Sequence, residues 1–232
     1  MKEETFNMAK GILYGIGVGP GDPELLTLKA VRLLKEAQII GVPDKGTGEK
    51  TALNIVKEFA DPEKIRYFPT PMIRDKEALQ KNYEQQADKI CEYLEEGKTV
   101  VFITLGDPTV YSTYYYLHEI VAARGYEAIL VPGVPSFCAV AARVGTSLCE
   151  RSDRLLIVPA SSSVEDALEV KANKVFMKAG SSILELQEKL KAAGKLENAF
   201  AVENCGMENE HIWQHFSDMK EPSGYFSVVI VK

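Results

Sequence analysis

The sequence predicts an α/β protein of two lobes, each a sheet with helices. Three observations carry this reading. Short apolar runs alternate with helical patterns over most of the chain, the mark of parallel strands joined by crossover helices. The run Thr99–Leu105 (TVVFITL) is too apolar to face water on either side, as in a sheet covered on both faces. The pattern restarts after Pro132-Gly133, and 232 residues suit one large domain or two small ones. This places an N-terminal lobe at 1–132 and a C-terminal lobe at 133–232, packed closely with a cleft between them, where ligands commonly bind.

Each element has a local reason. Gly11–Gly17 (GILYGIG) reads as a short buried strand. Asp22 can cap a helix with Pro23 at its first position, and Leu25, Leu26, Leu28, Val31, Leu33 and Leu34 give that helix an apolar face up to Glu36. Strand Gln38–Val42, helix Lys50–Phe59 and strand Ile65–Phe68 follow. A long helix from Asp75 to Glu96 stops at Gly97. Strand 99–105, helix Tyr111–Ala123 and strand Ala128–Val131 complete the first lobe. The second carries helix Ser136–Val144, strand Arg154–Val158, helix Val164–Glu169, strand Lys174–Met177 and helix Ser182–Ala193. It closes on Ala199–Glu203, a polar turn, and two strand-like runs at His211–Phe216 and Tyr225–Val231, a finish richer in adjacent strands that implies antiparallel additions.

Composition excludes several classes. With 27 basic and 33 acidic residues the chain carries a net charge of −6, which argues against a nucleic-acid partner while leaving room for a local basic pocket. No apolar stretch approaches the roughly 18 residues that span a bilayer, and the polar start MKEETFNMAK has no apolar core of a signal peptide, so neither a membrane nor export is expected. The cysteines at 91, 138, 149 and 205 lie too far apart for a CxxC pair, which points to a reducing cytoplasm and to no metal knuckle. His211 and His215 have the spacing of two ligands on one helix, but no third ligand is near, and no metal is expected. No GxSxG sequence and no Cys–His nucleophile emerges.

Strand-to-helix junctions hold the chemistry. Gly15, Gly17, Gly19 and Gly21 form a run that resembles a dinucleotide fingerprint and fails it: the third glycine position falls on Pro20 or Asp22. Pro20 lacks an N–H and Asp22 is anionic, so a pyrophosphate is repelled, whereas a cation or a close-approaching substrate is tolerated. Four glycines in seven residues exceed what a turn needs. Gly46-Thr47-Gly48-Glu49-Lys50-Thr51 mimics the end of a P-loop, but Glu49 stands where a glycine is required. Leu105–Thr113 (LGDPTVYST) ends the most buried strand. There Gly106 allows a ligand near the backbone and Ser112 and Thr113 offer hydroxyls. Asp107 can accept hydrogen bonds from a ligand or simply cap the next helix. Pro132–Phe137 (PGVPSF) is a further junction, with Ser136 as a cap in the plainest reading, and Val175–Lys178 (VFMK) ends a strand.

Taken together, these segments resemble the tetrapyrrole (corrin/porphyrin) methyltransferases. GVGPGDPELLTLKA at 17–30 looks like that family's N-terminal signature. LGDPTVYST, PGVPSF, VFMK, VENCG at 202–206 and YFSVVIV at 225–231 follow in order over nearly the whole chain. Within the family, VPDKGTGEKTAL at 42–53 and Tyr111-Ser112-Thr113 are most similar to the C20-methyltransferases of precorrin-2, the cobalt branch included. Pro135 departs from related uroporphyrinogen enzymes, which usually carry threonine there. The resemblance implies two α/β lobes, a homodimer, and S-adenosyl-methionine in the trough between the lobes. It implies that Pro20, Gly106, Asp107 and Val110 line that cofactor, with Ser136, Met177 and the turn Asn204-Cys205-Gly206. Tyr111, Ser112 and Thr113 fall to the tetrapyrrole. Its eight carboxylates call for cations, of which Arg74 and Arg151 are the favoured pair and Arg143, Arg154, Lys45 and Lys178 the remaining candidates. Methyl transfer to an electron-rich carbon needs alignment rather than an enzyme nucleophile, and no catalytic base is assigned. Competing expectations are another tetrapyrrole methyltransferase of the same pathway, a tetrapyrrole-binding protein without turnover, and a methyltransferase of RNA or protein side chains.

Overall fold

The structure, a computed structural model, describes residues 9–46, 50–71, 75–159 and 162–232. The chain divides into two compact units, Met1–Gly19 with Pro23–Val134, and Pro20–Asp22 with Pro135–Lys232.

The first unit holds strands β1 (Ile12–Gly17), β2 (Ile39–Asp44), β3 (Ile65–Pro69), β4 (Val100–Thr104) and β5 (Glu127–Val131). Its helices are α1 (Leu28–Glu36), α2 (Thr51–Val56), α3 (Lys76–Glu95) and α4 (Tyr114–Ala123). The sheet runs β3-β2-β4-β1-β5 with every pairing parallel, as the alternation predicts. Strand β4 lies at its centre, and the period of two sorts its side chains between two cores. Val101 and Ile103 join Leu33 and Leu34 of α1 and Ile55 and Val56 of α2. Val100 and Phe102 join Ile90 and Leu94 of α3 and Leu117 of α4.

Two helices start later than the sequence predicts. Pro23–Leu25 makes only a short 3-10 turn, and α1 begins at Leu28, capped by the Thr27 hydroxyl, which accepts a hydrogen bond from the Ala30 N–H at 3.1 Å. Asp22 therefore does not cap it, and Leu28, expected on the apolar face, is 90% exposed. Helix α4 begins at Tyr114 because Tyr111 has φ +48°, a left-handed conformation that cannot continue a helix. By contrast, α3 has the ends its sequence encodes. The Asp75 carboxylate accepts from the Glu77 and Ala78 N–H groups, and Gly97 closes the helix at φ +73°.

The second unit holds α5 (Ser136–Arg143), β6 (Leu155–Pro159), α6 (Val164–Glu169), β7 (Asn173–Met177), α7 (Ile183–Ala192), β8 (Ala199–Glu203), β9 (His211–Trp213) and β10 (Ser227–Val231). Its sheet order is β6-β7-β10-β8-β9. Only β6 and β7 pair in parallel; the late strands add antiparallel, as their adjacency in sequence predicts. Phe176, Ile183, Leu186, Ala201, Phe216 and Val229 pack its core. The run 211–216 is strand only as far as Trp213, so His211 and His215 do not share a helix, and His211 stacks on Trp213 at 4.0 Å. Among the described residues no helix is long and apolar enough to cross a membrane, and no group of three histidine, cysteine or acidic side chains is placed to hold a metal.

Candidate functional site

In the first unit the C-terminal ends of β1, β4 and β5 meet backbone to backbone. The Gly106 N–H donates to the Gly19 carbonyl at 2.8 Å, and the Gly19 N–H donates back at 3.3 Å. A Cβ on Gly17 would lie 2.4 Å from the Gly106 carbonyl oxygen, and one on Gly133 would lie 2.2 Å from the same atom. Three segments that the sequence presents separately are thus one crossing. It is possible only where no side chain intervenes. Gly15 admits the ring of Tyr114, whose nearest atom would be 1.9 Å from a Cβ there. The surplus glycines of the first signature therefore accommodate the protein's own chain. Gly106 differs: it sits at φ +71°, and a Cβ on it would meet nothing within 4 Å.

Asp107 fastens this crossing. Its carboxylate accepts from the Thr109 N–H at 2.8 Å and hydroxyl at 2.5 Å, and from the Gly133 N–H at 3.0 Å. The helix-cap reading fails, since α4 starts seven residues further on; Asp107 caps a tight turn and ties β4's end to the loop after β5. Val110 is half-buried in that turn. Ser112 shares a hydrogen bond with the Thr104 hydroxyl at 2.9 Å and accepts from the Tyr114 N–H at 3.3 Å. Tyr111 is 45% exposed, and Thr113 is also exposed. Burial pushes the Tyr114 phenol up and the His118 imidazole down, so both are held neutral.

In the second unit Pro20–Asp22 packs on the turn after β8. A Cβ on Gly21 would lie 2.4 Å from the Cys205 carbonyl oxygen, and one on Gly206 would lie 2.8 Å from the Asp22 nitrogen. Asn204 (φ +52°) and Gly206 (φ +79°) are both left-handed, which gives the turn its sharpness. Cys205 is buried, and that burial, with Glu210 beside it, pushes its thiol up to about 12. It is an inert neutral group. Met177 is buried at the end of β7, followed by Lys178 at φ +57°. Ser136 is the first residue of α5 rather than its cap. Pro135 holds the cap position with no side-chain hydrogen bond, so the helix offers its first backbone N–H groups.

The sequence did not point to Glu210, although the local geometry turns on it. Its Oε2 accepts from the Gly206 N–H at 2.8 Å, and its Oε1 pairs with Arg143 Nε at 2.7 Å. Burial works to raise its carboxyl, but the Gly206 N–H and Arg143 prevail and hold it below the ordinary value. No local motif marks this residue; only its spacing of four from Gly206 could have drawn notice.

Of the proposed cations, Arg74 lies outside the described residues, as does Glu49 of the P-loop mimic. Arg143 is engaged by Glu210. Arg151 is exposed at φ +50° in the turn that follows α5 and precedes β6, and Arg154 is exposed nearby. Lys178 extends over the Tyr225 ring at 5.8 Å. Tyr111, Arg151, Lys178 and Asn204 are the non-glycine residues with positive φ among the described residues, and each belongs to a segment already singled out. Such conformations cost about 1–3 kcal/mol and cluster at functional sites.

Residues 12–218 match the family Tetrapyrrole (Corrin/Porphyrin) Methylases, and the chain belongs to it. It is therefore an enzyme that methylates tetrapyrroles with S-adenosyl-methionine as donor. A probable cobalt-precorrin-2 C(20)-methyltransferase of Methanocaldococcus jannaschii is 39% identical over 167 residues, 72% of this chain and 71% of that one. The cobalt-precorrin-2 C(20)-methyltransferase of Salmonella typhimurium is 30% identical over 95% of this chain and 96% of its own. The cobalamin biosynthesis protein CobIJ of Mycobacterium bovis is 31% identical over 96% of this chain, which spans about half of that longer protein, 46%. Among solved structures, a cobalt precorrin-4 methyltransferase superposes with a TM-score of 0.74 at 20% identity, covering 95% of this chain and 94% of the other. Uroporphyrin-III C-methyltransferase of Thermus thermophilus, complexed with S-adenosyl homocysteine, gives a TM-score of 0.67 at 22% identity, covering 95% and 97%. Both likenesses concern the fold.

Proposed function

We propose that this chain methylates carbon 20 of precorrin-2 or of its cobalt complex. The relatives named for that reaction support the position, one of them along nearly its whole length. The observation that carries the cofactor's place is Gly106, a left-handed glycine at a strand end whose missing side chain leaves open space. The residues fit the donor: Pro20 contributes no N–H to an anion, Cys205 is neutral, and Asp22 is compatible with a cation. Following the resemblance, Gly106, Asp107 and Val110 in the first unit are proposed as cofactor-lining residues. Pro20, Ser136, Met177 and the 204–206 turn are proposed likewise in the second unit.

When bound, S-adenosyl-methionine supplies a methyl group on a sulfonium sulfur, open to in-line attack by the substrate carbon. The chain's part is alignment. The 17–106–133 crossing and the Asp107 carboxylate hold the β4 turn in place, Tyr111 and Thr113 on that turn offer exposed hydroxyls to the tetrapyrrole, and Ser112, bonded to Thr104 and the Tyr114 N–H, braces the turn behind them. The test is incubation with precorrin-2 and its cobalt complex and a carbon-13 methyl donor, followed by NMR location of the label. A single new methyl at carbon 20 is expected. A methyl elsewhere makes the chain a sister enzyme, and tight binding with no product makes it a carrier. Calorimetry on the same protein is expected to show binding of S-adenosyl homocysteine and much weaker binding of NAD and ATP.

Arg151 is proposed to hold a substrate carboxylate. Arg151→Gln should raise the tetrapyrrole KM about two- to fivefold, the worth of one exposed charge pair. Added salt should shrink that difference, and cofactor affinity should stay constant. Equal KM values at low salt would place the carboxylate contact elsewhere. A homodimer and a cytoplasmic location complete the proposal. Four free thiols suit a reducing compartment, and analytical ultracentrifugation tests the dimer.

A further inference from the structure

We infer that Glu210 is the positioning residue for the cofactor-facing loops of the second unit, an inference that rests on the cofactor reading above. Two segments of that unit meet at its carboxylate, and a third packs on one of them. The Gly206 N–H donates to Oε2 at 2.8 Å and fixes the 204–206 turn. Through the backbone contact of Gly206 with Asp22, and of Gly21 with Cys205, the same bond sets Pro20–Asp22. The Arg143 guanidinium donates to Oε1 at 2.7 Å from the last residue of α5, the helix that opens at Ser136.

Two features make this more than a surface ion pair. The Glu210 side chain is only 11% exposed, against 58% for Arg143, so the carboxylate is the shielded partner. The donor it satisfies belongs to a left-handed glycine at φ +79° in a turn with a second left-handed residue two positions earlier. Glycine and asparagine both adopt this conformation readily, and a charge-assisted bond to the backbone N–H is among the stronger ways to select it. Met207 N donates to the Asn204 carbonyl at 2.9 Å and closes the turn from within. Glu210 closes it from without. The carboxylate itself is engaged by the Gly206 N–H, Arg143 and the Cys205 thiol, which makes it a positioning residue for the cofactor site.

Glu210→Ala removes every contact of the carboxylate, Glu210→Gln keeps an oxygen for the Gly206 N–H, and Arg143→Gln removes only the ion pair. For S-adenosyl homocysteine, about a tenfold loss of affinity is expected in Glu210→Ala, or 1.4 kcal/mol. Recovery to within about threefold is expected in the glutamine variant, with a similar small loss in Arg143→Gln. The steady-state counterpart is a raised cofactor KM with kcat changed by less than twofold. A loss in Glu210→Gln equal to that in Glu210→Ala overturns the inference, as does unchanged affinity in both. Hydrogen exchange at the Gly206 amide gives a reading independent of the ligand: protection should fall in Glu210→Ala and persist in Glu210→Gln. A wild-type chain that binds no S-adenosyl homocysteine, yet shows that exchange pattern, would overturn the cofactor reading and leave the hold on the turn intact. If Glu210→Ala fails to fold, the glutamine and Arg143 variants decide alone. Exchange at Gly206 in Glu210→Gln as fast as in an unstructured peptide then overturns the inference.

Discussion

Gly133→Ala is expected to lower the stability of the first unit by about 3 kcal/mol. The new methyl would lie 2.2 Å from the Gly106 carbonyl oxygen and 2.7 Å from the Gly17 carbonyl carbon. Neither atom can retreat at small cost. Gly17 is paired with Thr104 at the end of the β1–β4 ladder, and the Gly106 carbonyl accepts the Gly19 N–H. The Gly133 N–H is itself held by Asp107, so the loop cannot swing outward without breaking that bond. Urea unfolding followed by far-ultraviolet circular dichroism measures the effect, while the one tryptophan, Trp213, reports on the second unit by fluorescence. A dichroism midpoint equal to wild type would mean that the crossing yields easily and that the glycine is not required there.

Gly106→Ala carries the larger functional effect. Its Cβ meets no protein atom within 4 Å, so the fold loses only the backbone term for a left-handed alanine, about 1–2 kcal/mol. Gly125 supplies the control: it stands at φ +83° in the same unit, also with nothing within 4 Å, just after α4. Both alanine variants should lose similar stability. Only Gly106→Ala should weaken S-adenosyl homocysteine, on the order of tenfold to a hundredfold, since a methyl inserted into a filled contact costs about 1–3 kcal/mol. Equal cofactor affinity in the two variants would show that the space beside Gly106 does not belong to the ligand. Loss of folding in Gly106→Ala alone would show that its role is structural.

What the sequence determined by itself is whatever depends on neighbours within a turn or two along the chain. The Asp75 cap and Gly97 stop bound α3 to within a residue, because capping acts over three or four positions. The apolar run at 99–105 is the central strand, since only a strand covered on both faces can be so free of polar groups. The order of the signatures identified the family, and the failed phosphate motifs were legible from Pro20, Asp22 and Glu49. Tertiary structure decided the rest, because it turns on segments far apart in sequence. Nothing near Gly17 says that Gly106 and Gly133 cross it, so one glycine run looks equally like a ligand cradle and a packing device. Nothing near Pro23 says that Asp22 belongs with the second unit, or that Thr27 rather than Asp22 caps α1. Glu210 gains its place only when α5, the 204–206 turn and the 20–22 segment come together. Periodicity and caps are local energies and can be read along the chain. Clearances between backbones, and the carboxylates that pin them, exist only once the strands have been brought side by side.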